Sequence, residues 1–241
     1  MTRLLFIADL HLDACDPATL ALFHRFCRQQ AASADALYIL GDLFEAWAGD
    51  DANDDAATCA RQALAELSAS GTEILLLQGN RDFLLGPGFV ASCGGRLLSD
   101  PSIIEWSGQR IALCHGDSLC TADEDYQILR HRLRRPEVQA ALLAQPRSER
   151  ETLARQAREA SRRAGANKPD TITDVTQAAV DALLGELDVD LMIHGHTHRP
   201  ADHCWQHDGR SRRRLVVGAW SDSADYVVAD SGELTIRRFP L

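Results

Sequence analysis

Long apolar runs are missing from this sequence. The longest, such as Leu4–Ala8, are five residues, whereas a helix crossing a bilayer needs roughly 20, so no transmembrane helix is expected. Cysteine pairing signals are missing too. The seven cysteines (Cys15, Cys27, Cys59, Cys93, Cys114, Cys120 and Cys204) are odd in number, scattered, and never spaced as CxxC. That excludes a disulfide framework and a thiolate zinc site, and fits reduced thiols in the cytoplasm. The opening MTRLLFIADLHL lacks the apolar stretch and small-residue cleavage site of a secretory leader, so export by that route is not expected. Aromatics are scarce at 6%, and 35 acidic against 25 basic residues leave a net charge of −10 over 241 residues. A nucleic-acid groove, which is basic and lined with stacking rings, is not expected in such a chain. No repeat or low-complexity linker appears, and 45% hydrophobic with 25% charged residues is ordinary globular composition, which excludes disorder.

What is present is an alternation. Leu4–Ala8, Ala36–Leu40 and Glu73–Leu77 read as strands, while 17–32, opened by Pro17, and 55–69, ending near Gly71, read as helices. Strand and helix in turn predict an α/β fold with helices packed over a sheet. Ile103–Trp106 and Arg110–Cys114, about Ser107-Gly108-Gln109, predict a β-hairpin. Later strands are expected at Leu191–Ile193, Leu215–Gly218, Tyr226–Ala229 and Leu234–Arg238, the last two joined by Asp230-Ser231-Gly232. Residues 124–170 break the pattern. They carry eleven Lys/Arg against seven Asp/Glu, net +4, with helical periodicity and no strand signal. The expectation is one domain over 1–241 with a helical cap inserted at about 124–170.

Five motifs stand where expected strands end: Asp9-Leu-His11, Gly41-Asp42, Gly79-Asn80-Arg81-Asp82, His115-Gly116-Asp117 and His194-Gly-His196-Thr-His198. In open α/β sheets, sites form at the carboxyl ends of strands, so residues far apart in sequence converge there. Asp9, His11, Asp42, Asn80, His115, His196 and His198 offer two carboxylates, an amide carbonyl and four imidazoles. That set, without thiolate, suits Mn²⁺, Fe²⁺ or Zn²⁺. Seven ligands exceed what one tetrahedral ion takes, and two ions sharing a carboxylate use them naturally. His194 is assigned a structural place behind the others. Two ions ~3.5–4 Å apart acidify a water and clamp a phosphoryl group, and Arg81 adds a fork of donors for its oxygens. Any one of these residues alone reads as a cap, a turn or a structural histidine. Their joint occurrence at strand ends is the outline of a metal-dependent phosphoesterase.

In this order the motifs resemble the calcineurin-like metallophosphoesterases over nearly the entire chain. The strings Gly41-Asp-Leu-Phe-Glu-Ala-Trp47-Ala-Gly-Asp-Asp51, Gly79-Asn-Arg-Asp-Phe83-Leu-Leu85, His115-Gly-Asp-Ser-Leu-Cys-Thr121-Ala-Asp123-Glu-Asp-Tyr126, His194 to Pro200 and Val217 to Leu241 are similar, more narrowly, to the UDP-2,3-diacylglucosamine pyrophosphohydrolase family of lipid A biosynthesis. The resemblance implies a β-sandwich flanked by helices, with a helical cap. It implies two Mn²⁺, one among Asp9, His11, Asp42 and His198, the other among Asp42, Asn80, His115 and His196, with Asp42 bridging. The implied reaction is water attack on the α-phosphorus of a UDP-sugar lipid, giving UMP and 2,3-diacylglucosamine 1-phosphate without a covalent enzyme intermediate. Implied substrate contacts are Asn80, Arg81, His196, Asp123, Ser161 and Lys168. A further cap position, polar in the family, falls here on Gly165, with Asn167 close by.

Arg147 to Arg163 holds six arginines and three glutamates among alanines. One reading is a solvated helix with i,i+4 pairs such as Glu151–Arg155 and Glu159–Arg163. The other is a basic face, joined by Arg210, Arg212, Arg213 and Arg214 unless these blunt an edge strand. Such a face would hold the protein peripherally on the anionic inner face of the inner membrane, where its lipid-linked substrate lies. No obligate protein partner is evident, although Trp47, Trp106, Trp205 and Trp220 would offer one a surface if exposed. Two other classes compete with this reading. A different dinuclear phosphoesterase would keep the five motifs without needing this cap, and a non-catalytic scaffold would have lost ligands that are all filled here.

Overall fold

The computed structural model describes residues 2–165, 169, 172–221 and 223–240. Its strands are β1 (Leu4–Ile7), β2 (Ala36–Leu40), β3 (Glu73–Leu77), β4 (Arg96–Leu97), β5 (Ser102–Trp106), β6 (Gln109–Cys114), β7 (Leu191–His194), β8 (Ala201–His207), β9 (Arg210–Val216), β10 (Ser223–Asp230) and β11 (Glu233–Pro240). The α-helices are α1 (Pro17–Gln29), α2 (Asp55–Ala69), α3 (Pro87–Ser92), α4 (Glu124–Leu133), α5 (Pro136–Leu143), α6 (Arg147–Gly165) and α7 (Gln177–Glu186). Asp16 and Asp54 start α1 and α2 by accepting the Thr19 and Ala57 amides, which satisfies donors a helix otherwise leaves unpaired.

Two sheets stack, one ordered β11-β10-β1-β2-β3-β4 and the other β5-β6-β7-β9-β8. Side chains alternate along each strand and sort into layers. Phe6, Tyr38, Leu40 and Leu75 meet Ile111, Leu113, Ile193 and Leu215 between the sheets. Leu5, Ile7, Leu37, Ile39 and Leu76 turn the other way, onto Phe23, Phe26, Ala60 and Leu64 of α1 and α2. Ala112, Cys114 and Met192 meet Val180 and Leu184 of α7. Both faces of β1, β2, β3 and β6 are therefore covered. That is why these strands read as unbroken apolar runs rather than alternating ones. The resulting β-sandwich flanked by helices is the architecture expected.

β1, β2 and β3 run parallel, as do β6, β7 and β9. The carboxyl ends of β1, β2 and β3 therefore share one edge of their sheet, and those of β6 and β7 share one edge of the other. The β5–β6 hairpin turns at Ser107-Gly108, both at positive φ, with Trp106 paired to Gln109. β8 had no sequence signal, because its residues are mostly exposed at a sheet edge. β9 starts earlier than expected and is interior, between β7 and β8. Its arginines do not blunt an edge. Arg212 and Arg214 are buried, Arg212 on Asp181 and Arg214 on His194, while Arg213 forks onto Asp202.

Helices α4, α5 and α6 lie between β6 and β7 in the chain, and α4 and α5 bury no residue fully. Their arginines point inward more than the sequence suggested. Arg150, 7% exposed, forks onto Asp51 at 2.9 and 2.5 Å and donates to the Ala48 and Gln145 carbonyls. Arg147 reaches the Asp51 carbonyl and Asn53, and Arg158 pairs with Glu45. Glu151 pairs with Arg147 one turn back, not with Arg155, while Glu159 pairs with Arg163 as expected. Trp47, Trp106 and Trp220 are buried and Trp205 is half-buried, so they offer no exposed docking patch. All seven cysteines are free thiols. No helix among the described residues is long and apolar enough to cross a membrane.

Candidate metal centre

Each of the five motifs begins within two residues of a strand's end or at its last residue, after β1, β2, β3, β6 and β7. Asp9, His11, Asp42, His196 and His198 all adopt positive φ, between 49° and 68°. A non-glycine residue rarely takes that conformation. It bends the chain sharply at the ligand positions themselves, while Leu10, Leu12 and Leu43, which follow three of them, turn into the core. Glycines allow the loops to touch. A Cβ on Gly79 would lie 2.1 Å from Asp42 Oδ1, and one on Gly195 would lie 2.5 Å from Asp9 Oδ2.

The side chains converge. Asp9, His11 and His198 offer ligand atoms within 4.8 Å of one another, and so do Asp9, Asp42 and His115. Asp9 thus belongs to both groups, beside the Asp42 to which the family resemblance gives the shared position. Asn80 Oδ1 completes the second group, 3.0 Å from His115 Nε2 and 2.8 Å from His196 Nδ1.

Lone pairs here face lone pairs. The Leu40 carbonyl lies 2.9 Å from His115 Nδ1. A carbonyl only accepts, so Nδ1 carries a proton, and Nε2 faces the Asn80 oxygen, where only a second proton or a cation relieves the clash of lone pairs. His11 Nε2 and His198 Nε2 lie 3.1 Å apart. Asp9 Oδ1 is buried without a hydrogen-bond partner among the described residues. Such a set is costly unless a cation or proton sits among it. The residues therefore fit a divalent metal, and oxygen and imidazole donors without thiolate suit Mn²⁺, Fe²⁺ or Zn²⁺.

The electrostatics agree. Burial alone would lower the His115 pKa, but Asp42, Asp117 and Asp9 pull it up to about 9. Burial likewise opposes ionisation of Asp9, yet His198 and His115 hold it down to about 2. His196, buried and beside His115, falls to about 4 and so offers a bare nitrogen at neutral pH.

Several neighbours escaped the sequence reading. Asp82 is buried and accepts the amides of Gly79 (2.7 Å), Leu43 (2.8 Å), Asp42 (3.3 Å) and Phe44 (3.4 Å), so it stitches two ligand loops together. Burial and the adjacent Asp42 raise its pKa to about 6. Asp117 is buried and takes Tyr126 Oη at 2.7 Å and Arg130 Nε at 2.8 Å. Tyr126 in turn stacks on His196 at 6.1 Å between ring centres. Glu45 Oε2 lies 3.0 Å from His11 Nδ1. Asp82 and Asp117 carried a signal as carboxylates inside the motifs, and Glu45 and Tyr126 stood inside the longer family-like strings; Arg130 depends on tertiary placement alone. His194 is fully occupied: its Nδ1–H donates to the Gly195 carbonyl at 2.8 Å and its Nε2 accepts from Arg214 at 3.0 Å.

Arg81 donates its backbone amide to Asp42 Oδ1 at 2.7 Å, and its buried Nε has no partner among the described residues. It lines a cleft of about 440 Å³ with His11, Asp13, Glu45, Arg158 and His198. Two guanidinium groups therefore face the space beside His11 and His198. Asp123 caps α4, accepting the Tyr126 amide at 3.2 Å. Ser161 is exposed on α6. Lys168 and Asn167 lie outside the described residues, and Gly165 ends α6.

A family profile of calcineurin-like phosphoesterases matches residues 2–200. A UDP-2,3-diacylglucosamine hydrolase of Stenotrophomonas maltophilia is 48% identical over 235 residues, covering 95% of each chain. One of Marinobacter nauticus is 44% identical over 98% of each chain. One of Xanthomonas campestris is 44% identical over 98% of this chain and 99% of its own. A solved phosphoesterase from E. coli overlays 99% of each chain at 17% identity, with a TM-score of 0.47.

Proposed function

This chain belongs to the calcineurin-like phosphoesterases and, within them, to the UDP-2,3-diacylglucosamine hydrolase family, and from that premise we propose that it hydrolyses the pyrophosphate of UDP-2,3-diacylglucosamine in lipid A biosynthesis. The observation that carries this reading is 48% identity, over 95% of both chains, to a relative of that name. Water adds to the α-phosphorus as the bond from that phosphorus to the bridging oxygen breaks. The bridging oxygen leaves on the β-phosphate, one proton passes to solvent, and the products are UMP and 2,3-diacylglucosamine 1-phosphate.

Asp9, His11, Asp42 and His198 would hold one Mn²⁺, and Asp42, Asn80, His115 and His196 the other. Bound there, two such ions acidify water and neutralise charge on the transferring phosphoryl group. The remaining work falls to side chains. Arg81 presents its guanidinium to phosphoryl oxygens, and Asn80 and His196 face the same phosphates. Asp82 and Asp117 hold the ligand loops, which keeps the geometry fixed before substrate arrives. Asp123, Ser161 and Lys168 would contact the rest of the substrate.

Helices α4 to α6 would act as the cap of a single domain, sheltering acyl chains and docking peripherally on the anionic cytoplasmic face of the inner membrane. Among the described residues, four of the five exposed large apolar side chains (Ile128, Leu129, Leu143 and Leu153) lie on these helices. With Arg147, Arg150 and Arg158 turned inward, that apolar set supports the membrane reading more than the arginines do.

The test is a mass-spectrometric product assay with purified protein, Mn²⁺ and UDP-2,3-diacylglucosamine, beside a chelator control and UDP-glucose. Metal-dependent UMP and diacylglucosamine 1-phosphate from the lipid alone are expected. Cleavage only of a generic phosphodiester would keep the centre and discard this substrate.

A further inference from the structure

The loop that carries Asn80 and Arg81 is gripped from outside the centre. Arg134, half-buried at the end of α4, donates Nη1 to Gln78 Oε1 at 3.0 Å, and Nη2 to the Gln78 carbonyl at 3.2 Å and the Gly79 carbonyl at 3.0 Å. Gln78 passes the contact on, its Nε2 donating to the Leu85 carbonyl at 2.6 Å. From α5, Gln139 Nε2 reaches the Phe83 carbonyl at 3.4 Å. On its other side the same loop is held by acidic groups of the core. The Gly79 amide donates to Asp82 Oδ1 and the Arg81 amide to Asp42 Oδ1, both at 2.7 Å. The Asn80 segment is thus clamped by its carbonyls from the helices and by its amides from the core.

One planar fork spans three oxygens of two consecutive residues, which a flexible point charge cannot do. We propose that Arg134 is a positioning residue. It sets the Gly79–Asn80 segment so that Asn80 Oδ1 stands against His115 and His196 while Arg81 faces the cleft. By this account α4 and α5 are part of the framework of the centre. The proposal rests on Asn80 being a metal ligand, and it assigns a consequence to one ion only: the one Asn80 would share with His115 and His196.

The experiment is a Mn²⁺ titration followed by the electron paramagnetic resonance of free Mn²⁺, without substrate, on the full-length protein and its Arg134→Gln, Arg134→Lys and Asn80→Ala variants. Melting in EDTA checks that each variant folds. Arg134→Gln should weaken one of two Mn²⁺ by about 10-fold or more, the usual scale when a ligand's support is removed. The second ion should stay within about twofold. Arg134→Lys should recover at most part of the loss. Asn80→Ala should weaken the same ion further. Unchanged binding in folded Arg134→Gln, equal weakening of both ions, or full recovery by Lys would each overturn the assignment to Arg134. If Asn80→Ala itself weakens neither ion, the ligand reading has failed, and Arg134 with it.

Discussion

Gly79→Ala adds one methyl group at the closest approach of two ligand loops. Its Cβ would lie 2.1 Å from Asp42 Oδ1, 2.3 Å from Asp42 N and 2.8 Å from Asp42 Cγ, and real Cβ contacts essentially never fall below 3.0 Å. Asp42 therefore has to retreat by about 1 Å, a shift that elsewhere costs on the order of 100-fold in rate when it falls on a reacting group. It has nowhere easy to go. Asp42 is 2% exposed, and its amide is held by Asp82 and its Oδ1 by the Arg81 amide. Forcing a methyl into so packed a site costs about 1–3 kcal/mol of stability. The variant should melt lower in EDTA, bind Mn²⁺ more weakly, and turn over at about 1% of the wild-type rate or less. The sharpest check is whether Mn²⁺ affinity and melting fall together, by titration and calorimetry. A variant that binds two Mn²⁺ normally and melts as the wild type would refute the claim that Asp42 is locked by the neighbouring loop.

Other outcomes follow from contacts already described. Asp42→Ala should abolish turnover while leaving a cooperative fold, since its carboxylate serves the centre and, among the described residues, accepts one backbone amide; near-normal turnover would sink the shared-ligand assignment. Asp82→Ala strips the acceptor from four backbone amides and should cost about 3–4 kcal/mol in urea unfolding. Asp51 is held below its usual value of 3.8, chiefly by the hydrogen bond from Arg150. A carboxylate lowered by folding lends stability above its unfolded pKa and loses it as pH falls through the folded one. Limited proteolysis of α6 should therefore quicken as pH drops below about 4, and Arg150→Gln should remove that dependence.

Much of the fold was legible because both faces of the parallel strands are covered. Covered strands carry runs such as Leu4–Ala8 and Ala36–Leu40, and α2 was readable to its end near Gly71, while its cap Asp54 emerged only in the fold. β8 was not, since an exposed edge strand has no burial to pattern it. The basic residues of β9 and α6 misled for one physical reason: a charge count cannot say which way a guanidinium points. Arg150, Arg212 and Arg214 are partnered inside the protein, where sequence suggests solvent or lipid. The seven candidate ligands stood out as polar residues that stop apolar strands. Arg130 and Arg134 reach the centre only through tertiary contacts, and no spacing announces them; Glu45 and Tyr126 stood inside the family-like strings, but their partners did not.

The left-handed backbone at five of those ligand positions has a consequence for how such a sequence drifts. Each L-residue held there costs roughly 1–2 kcal/mol that glycine would not. At Asp9, His11, Asp42, His196 and His198, chemistry and thermal stability therefore pull in opposite directions. A screen for higher melting temperature alone, run in chelator, should recover glycine or asparagine at these positions and discard the enzyme in doing so. A lineage released from the need to hydrolyse would slide the same way, downhill in free energy, losing its ligands before it lost its fold.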